Sequence, residues 1–409
     1  MKKADSRPAD TYSPLYFLAS LGAGGLTVTF FMYLMFWVPH TGRPVPVFED
    51  LAAAFSGGGV PLQSAIVIAA LGIAVFAVLN VKLLVWNLRS LSAFRKTQAC
   101  TALRNSNAET TLLAGPLAAA MTVNAMFIVG LVFVPGLWQV VEYLFPLALV
   151  VFLAIGVWAF ALIGDFLGRV LTKGGVFDVT AHNSFAQLLP AFALAMVAVG
   201  LSAPAAMSGT VLTVGTSLVL STFFGTAAIL YTVVASVTAF NSMLRYGTAR
   251  EAGPTLMVIV PIMTVLGIMA LRQNHGLHVS FGLHDSAGGT MMFLARLLTV
   301  QILFVMLGLL VLRRQGYFAE FIFGDKPSAG SYALVCPGVA LSVMLHFFIN
   351  KGLVAAGLIA KFGIAYWGLT AIALLAQVLM IVLVLRLNRQ HFSPKRPSQG
   401  PEPDLMPAE

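Results

Sequence analysis

Ten long apolar stretches dominate this chain of 409 residues, each with enough residues to cross a hydrocarbon core of about 30 Å as a helix. They fall at 15–38, 61–85, 111–134, 138–163, 184–203, 212–239, 254–272, 290–312, 331–351 and 363–387. Without water, an unpaired backbone N–H or C=O is very costly, so such stretches fold as helices and the expected fold is an all-α polytopic membrane protein. Composition agrees, because 59% hydrophobic and 10% charged residues leave too little polar surface for a water-exposed globule. The reading divides the chain into an N-terminal segment, 1–14, a ten-helix membrane domain, 15–387, and a Pro-rich tail, 388–409, expected to be disordered. The first stretch is too long for a signal-peptide core and no A-x-A site follows it, so it is expected to be retained.

Charge then sets orientation. Nineteen Lys and Arg lie on the side of the two termini and four on the other, namely Arg43, Arg272, Lys351 and Lys361, while Arg296 lies inside the eighth stretch. The positive-inside rule therefore places both termini in the cytoplasm of a cell whose inner (plasma) membrane holds the chain. A net charge of +9 distributed over short loops serves orientation and gives no reason to expect a nucleic-acid partner. Two cysteines, Cys100 and Cys336, make no disulfide framework or metal spacing, and no nucleotide or hydrolase motif is present, so no cofactor or metal is expected.

Helix breakers gather in the odd-numbered stretches: Gly22, Gly24 and Gly25 in the first, Gly115-Pro116 in the third, Pro190, Pro261, and Pro337-Gly338 in the ninth. Among even stretches only the fourth carries an interior proline, Pro146. Proline inside a span is tolerated where protein or a wet cavity satisfies the freed backbone. The pattern predicts five hairpins, each pairing a kinked inner helix with a smoother outer one, around a central pore lined by the five kinked helices. In the ninth stretch, Cys336, Ala340, Val343, Phe347 and Asn350 recur at helical spacing and are expected on the pore wall. Asn124 is a further candidate for a polar contact with the lumen, against the plainer role of an interhelical hydrogen bond.

Ten spans with cytoplasmic termini, Leu21-Gly22-Ala23-Gly24-Gly25-Leu26, and the inner-helix prolines together resemble the tellurite-resistance/dicarboxylate transporter family, which includes slow anion channels. The resemblance covers roughly residues 14–387 and implies a pseudo-five-fold, often homotrimeric fold in the lipid bilayer that conducts or exports small anions. Channel members carry a pore-plugging phenylalanine just before the proline of the ninth span, where this sequence has Cys336. Tyr12-Ser13-Pro14-Leu15-Tyr16-Phe17 and Cys336-Pro337-Gly338 are also similar to the TsoY-type bacterial membrane proteins.

The leading expectation is a channel or exporter for small anions, with Gly22, Gly24, Gly25, Pro116, Asn124, Pro190, Pro261, Cys336, Pro337 and Phe347 lining or gating the pore and no catalytic residue. Anion passage needs no ring of buried lysines, because helix ends and freed backbone dipoles supply positive potential. The alternative is a membrane subunit of an oxidoreductase that handles quinone or a sulfur or selenium compound through Cys336. His275, His278, His284 and Asp285 cluster between the seventh and eighth stretches without zinc spacing and read as a solvated loop.

Overall fold

The computed structural model describes residues 9–173, 177–178, 180–181, 183–283 and 286–392. Among these the protein is helical throughout, with no strand. Residues 1–8 of the N-terminal segment, 393–409 of the Pro-rich tail, and His284 and Asp285 lie outside the described residues.

Ten helices are long and apolar enough to span a membrane: Pro14–Trp37, Val60–Phe94, Asn107–Phe133, Leu137–Lys173, Phe185–Met207, Val211–Tyr246, Arg250–Phe281, Ala287–Arg314, Ala329–Val354 and Ile364–Phe392, numbered one to ten below. All start within four residues of the expected positions. Several even spans run further, to Phe94, Lys173 and Tyr246, because their helices continue past the apolar core into segments that each carry one or two basic residues, Arg89, Arg169 with Lys173, and Arg245. At 1.5 Å per residue a helix of this length exceeds a 30 Å core by roughly 20 Å. Span ten likewise runs to Phe392, five residues beyond the expected end of the membrane domain. Its last turns are held where Asn388 accepts from the Tyr332 hydroxyl at 2.8 Å and Gln390 donates to the Phe321 carbonyl at 3.3 Å.

The two sets of spans differ in environment. Within their most apolar stretches the odd spans are 56% to 94% buried and the even spans only 17% to 39%. Span one packs against spans three and nine, span five against three and seven, and span seven against nine, so the inner contacts close on themselves. The even spans lie outside and turn Val, Leu and Ile side chains outward, as expected of lipid-facing helices. Both ends of the described chain reach one face, where the Tyr16 hydroxyl lies 3.0 Å from His391 Nδ1.

Every odd span opens with a short 3-10 segment: Pro14–Tyr16, Asn107–Leu113, Phe185–Leu188, Arg250–Met257 and Ala329–Leu334. Three are capped by serine, with the hydroxyls of Ser13, Ser106 and Ser184 accepting from the backbone N–H two residues on. The α-helix proper then begins at Ala114, Leu189, Ile259 and Val335 in spans three, five, seven and nine, placing Pro116, Pro190, Pro261 and Pro337 in its first turn. A proline there lacks an N–H that has no intrahelical acceptor anyway. The expected interior kinks are thus 3-10-to-α junctions. Span nine ends irregularly too, in a π-helical segment, Phe348–Val354.

Spans one and nine meet at very close range. A Cβ at Gly22 would press on Val335, and one at Gly25 on Val339, so glycine is required at both positions for the helices to touch.

Candidate functional site

A cavity of about 450 Å³ lies between the five odd spans. Its wall starts at Leu21 in span one, Met121 in span three, Phe192 in span five, Pro261 in span seven and Cys336 in span nine, and no wall residue of those spans precedes these positions. Below that level the 3-10 openings and the buried side chains of Phe17, Leu113, Leu188 and Leu334 fill the space. The cavity is therefore closed toward the face that carries the chain ends. It widens toward the opposite face, where its wall includes Pro44, Met207, Arg272, His275, His278 and Lys351.

The wall is apolar through most of its depth, with five methionines, Met32, Met35, Met121, Met196 and Met207, whose unbranched side chains adapt to irregular space. Polar wall groups are few and mostly engaged. Asn124 Nδ2 donates to the Ala120 carbonyl at 3.0 Å, and Thr264 Oγ1 donates to the Ala340 carbonyl at 3.1 Å. Arg272, half-buried at the wide end, donates from Nη1 to the Val199 carbonyl at 2.7 Å and so ties span seven to span five. Among the described residues no aspartate or glutamate lines the cavity, whereas Arg272 and Lys351 do.

A second pocket, about 370 Å³, adjoins the wide end and shares Lys351 with the first. Arg43, Lys361, His40 and Asn350 also line it. Arg43 is paired with Asp50 at 2.9 Å. Partial burial, and then the nearby Lys351 ammonium, hold the Lys361 amine below the ordinary lysine range. Phe362, which follows it, is the single non-glycine residue with positive φ among the described residues, at 65°, and its ring lies 5.0 Å from the Lys361 amine.

Six of the ten residues singled out from the sequence line the central cavity: Gly22, Gly25, Asn124, Pro261, Cys336 and Phe347. Gly24, Pro116, Pro190 and Pro337 do not. Gly24 faces Asn80 and Met121 instead, and the three prolines lie in the helix starts around the floor. Asn350 also departs from the expected face: its side chain accepts from the Tyr366 hydroxyl at 3.1 Å, and Lys351 continues the cavity wall in its place. The wider π-helical turn at Phe348–Val354 shifts the register there.

Some wall residues were not foreseen. Phe145, Ala148 and Phe152 of span four reach the cavity between spans three and five, so the lumen is not bounded by odd spans alone. The signal available was Pro146, the lone interior proline of an even span. His275 and His278 belong to the wide end of the cavity rather than to an isolated loop. Glu109, at the opening of span three, pairs with Arg169 of span four, and Ser106 supplies the cap. Arg296 is exposed on span eight, facing outward.

Cys336 sits at the floor of the cavity and is buried, as is Cys100. The chain matches no family model, no curated protein and no solved structure.

Proposed function

We propose that the protein is a channel or exporter for small anions, built as five hairpins in pseudo-five-fold order around a central lumen, with both termini in the cytoplasm. The observation that carries this reading is the central cavity: all five inner spans contribute to it, its wide end bears Arg272 and Lys351, and among the described residues no acidic side chain lines it. A mouth of one sign with low-dielectric walls concentrates counter-ions, and a deeper apolar wall with few engaged polar groups binds them weakly enough to release. The resemblance to the tellurite-resistance/dicarboxylate transporter family supports the same reading, including its homotrimeric state.

In this reading the floor at Leu21, Phe192, Pro261 and Cys336 is the gate, closed here toward the face of the chain ends. The 3-10-to-α junctions around it are points where the backbone can change pitch with few hydrogen bonds exchanged. Cys336 replaces a bulky plug with a small thiol, so closure rests on the packed helix starts below it.

The test is anion flux in proteoliposomes holding only the purified chain, with chloride, nitrate, sulfite and thiosulfate in turn. Flux above protein-free liposomes is expected. Folded protein that passes none of the four would overturn the reading. The placement of Cys336 in the cavity favours one second reading, thiol chemistry on a sulfur or selenium compound, which predicts substrate-dependent turnover of that thiol without flux.

A further inference from the structure

Span nine has a second functional face, turned away from the central cavity. Gly338 packs directly on Met380 of span ten, and twelve residues later Asn350 accepts from Tyr366 of the same span. These contacts set the antiparallel register of spans nine and ten. Between them it brings Ser342 opposite Gln377, and His346 opposite Thr370. The spacing supports this independently, since Gly338, Ser342, His346 and Asn350 follow each other at four residues, and Tyr366, Thr370 and Gln377 share a face of span ten. Span one closes the third side: Tyr33, Phe36 and Trp37 place their rings 6.3 to 6.4 Å from the His346 ring.

All four polar side chains in this wedge are buried, at 0% exposure for Ser342, His346 and Thr370 and 1% for Gln377. Thr370 hydrogen-bonds the Tyr366 hydroxyl, but four atoms on the other three residues have no protein partner: Ser342 Oγ, both ring nitrogens of His346 and Gln377 Nε2. Other groups here are paired. Tyr33 donates to Gln377 Oε1 at 2.7 Å, and Trp37 Nε1 donates to the Tyr366 hydroxyl at 3.0 Å. An isolated orphan is a local defect, but four on adjoining faces of two packed helices describe a binding site, because each would otherwise carry a full desolvation cost.

We infer that spans one, nine and ten enclose a buried hydrogen-bonding site around Ser342, His346, Thr370 and Gln377 for small neutral molecules that both donate and accept, with water as the resident ligand. The donor and acceptor inventory selects this class. Gln377 Nε2 offers only donors, the Ser342 hydroxyl offers both, and a neutral imidazole offers one donor and one acceptor nitrogen. A simple anion cannot donate to the acceptor nitrogen, and a cation cannot satisfy the Gln377 amide. Among the described residues no charged side chain belongs to the wedge: the groups facing His346 are Tyr33, Phe36 and Trp37 from span one and Thr370 from span ten, and the nearest basic residue along span nine is Lys351. Asn350 lines the second pocket, so the wedge joins the wide face through Asn350 and Tyr366. Hydrogen bonds through Tyr366 thus link the wedge to the second pocket, on the side of span nine away from the central cavity. The inference is independent of anion transport.

Hydroxyl-radical footprinting by X-ray radiolysis tests it on the full chain in detergent, since radicals formed from bound water label adjacent side chains. His346 is expected to be labelled at least about five-fold faster, after correction for intrinsic reactivity, than the equally buried Met344 and Tyr317. Labelling of His346 no faster than these two would overturn the inference. Thermal unfolding supplies a second readout that does not depend on labelling. Bound water makes His346→Phe lower Tm and His346→Gln retain most of it, whereas a dry cluster makes His346→Phe neutral or stabilising, because the substitution removes two orphaned nitrogens. A Tm for His346→Phe equal to or above that of the natural chain would equally overturn it; if that variant does not fold, the labelling of the natural chain decides.

Discussion

Two residues at opposite ends of the central cavity carry most of its chemistry. Cys336 at the floor is reachable only through the wide end, so a small methanethiosulfonate reagent added on that side should modify Cys336 and suppress flux. Cys336→Ser should be insensitive to the reagent; unchanged labelling by mass spectrometry in that variant would place the reactive thiol elsewhere. At the wide end, Arg272→Met removes a charge-assisted hydrogen bond to Val199, a loss of about 2 kcal/mol in stability measured by thermal or denaturant unfolding, and should lower anion flux as well. Lys361 gives a pH signature. Its amine titrates below the ordinary lysine value of about 10.4, so the positive potential of the second pocket falls as pH rises toward that value. The sign for folding is the reverse: the ammonium is disfavoured in the folded chain, so rising pH relieves that cost across the interval between the lowered and ordinary values. Flux should fall over this alkaline range in the natural chain. It should stay level in Lys361→Arg, whose guanidinium remains charged; identical alkaline profiles would remove Lys361 from the anion path.

At the scale of elements, the contact between spans one and nine is set by glycine. Gly25→Leu drives a branched side chain into Val339 and should cost about 1–3 kcal/mol through overpacking, seen as a lower Tm and disturbed flux. The inner-span prolines make a contrasting case. In the first turn, Pro190→Ala and Pro337→Ala should cost less than about 1 kcal/mol, mainly through the greater freedom of the unfolded chain. Losses of 3 kcal/mol or more on unfolding would restore the interior-kink reading. The sequence reported the helices well because span length and apolarity are local properties. The 3-10 openings were not read, although serine ahead of the proline in spans one, three, five and nine was the available signal. The turn of Asn350 away from the lumen depended on a π-helical segment that 3.6-residue periodicity does not encode. The wedge at His346 was invisible for another reason: its residues belong together only once three helices are packed, and each alone reads as an ordinary buried polar side chain.

For the whole molecule, the division into inner and outer spans was legible from the breakers. The odd spans that carry Gly and Pro are the buried ones, and the even spans face outward. The exception, Pro146, falls in the even span that reaches the cavity. What breakers could not give is the closed floor, which arises where five helix starts converge and fill their common axis. If the protein transports anions as proposed, the path must open through that floor, past Cys336. The most direct measurement is anion flux in proteoliposomes for the natural chain and Cys336→Phe side by side, with folding of both verified. The account predicts flux in the natural chain and its strong suppression by the added ring. Equal flux in the two would contradict a path past Cys336, and folded protein that passes no anion would contradict transport itself.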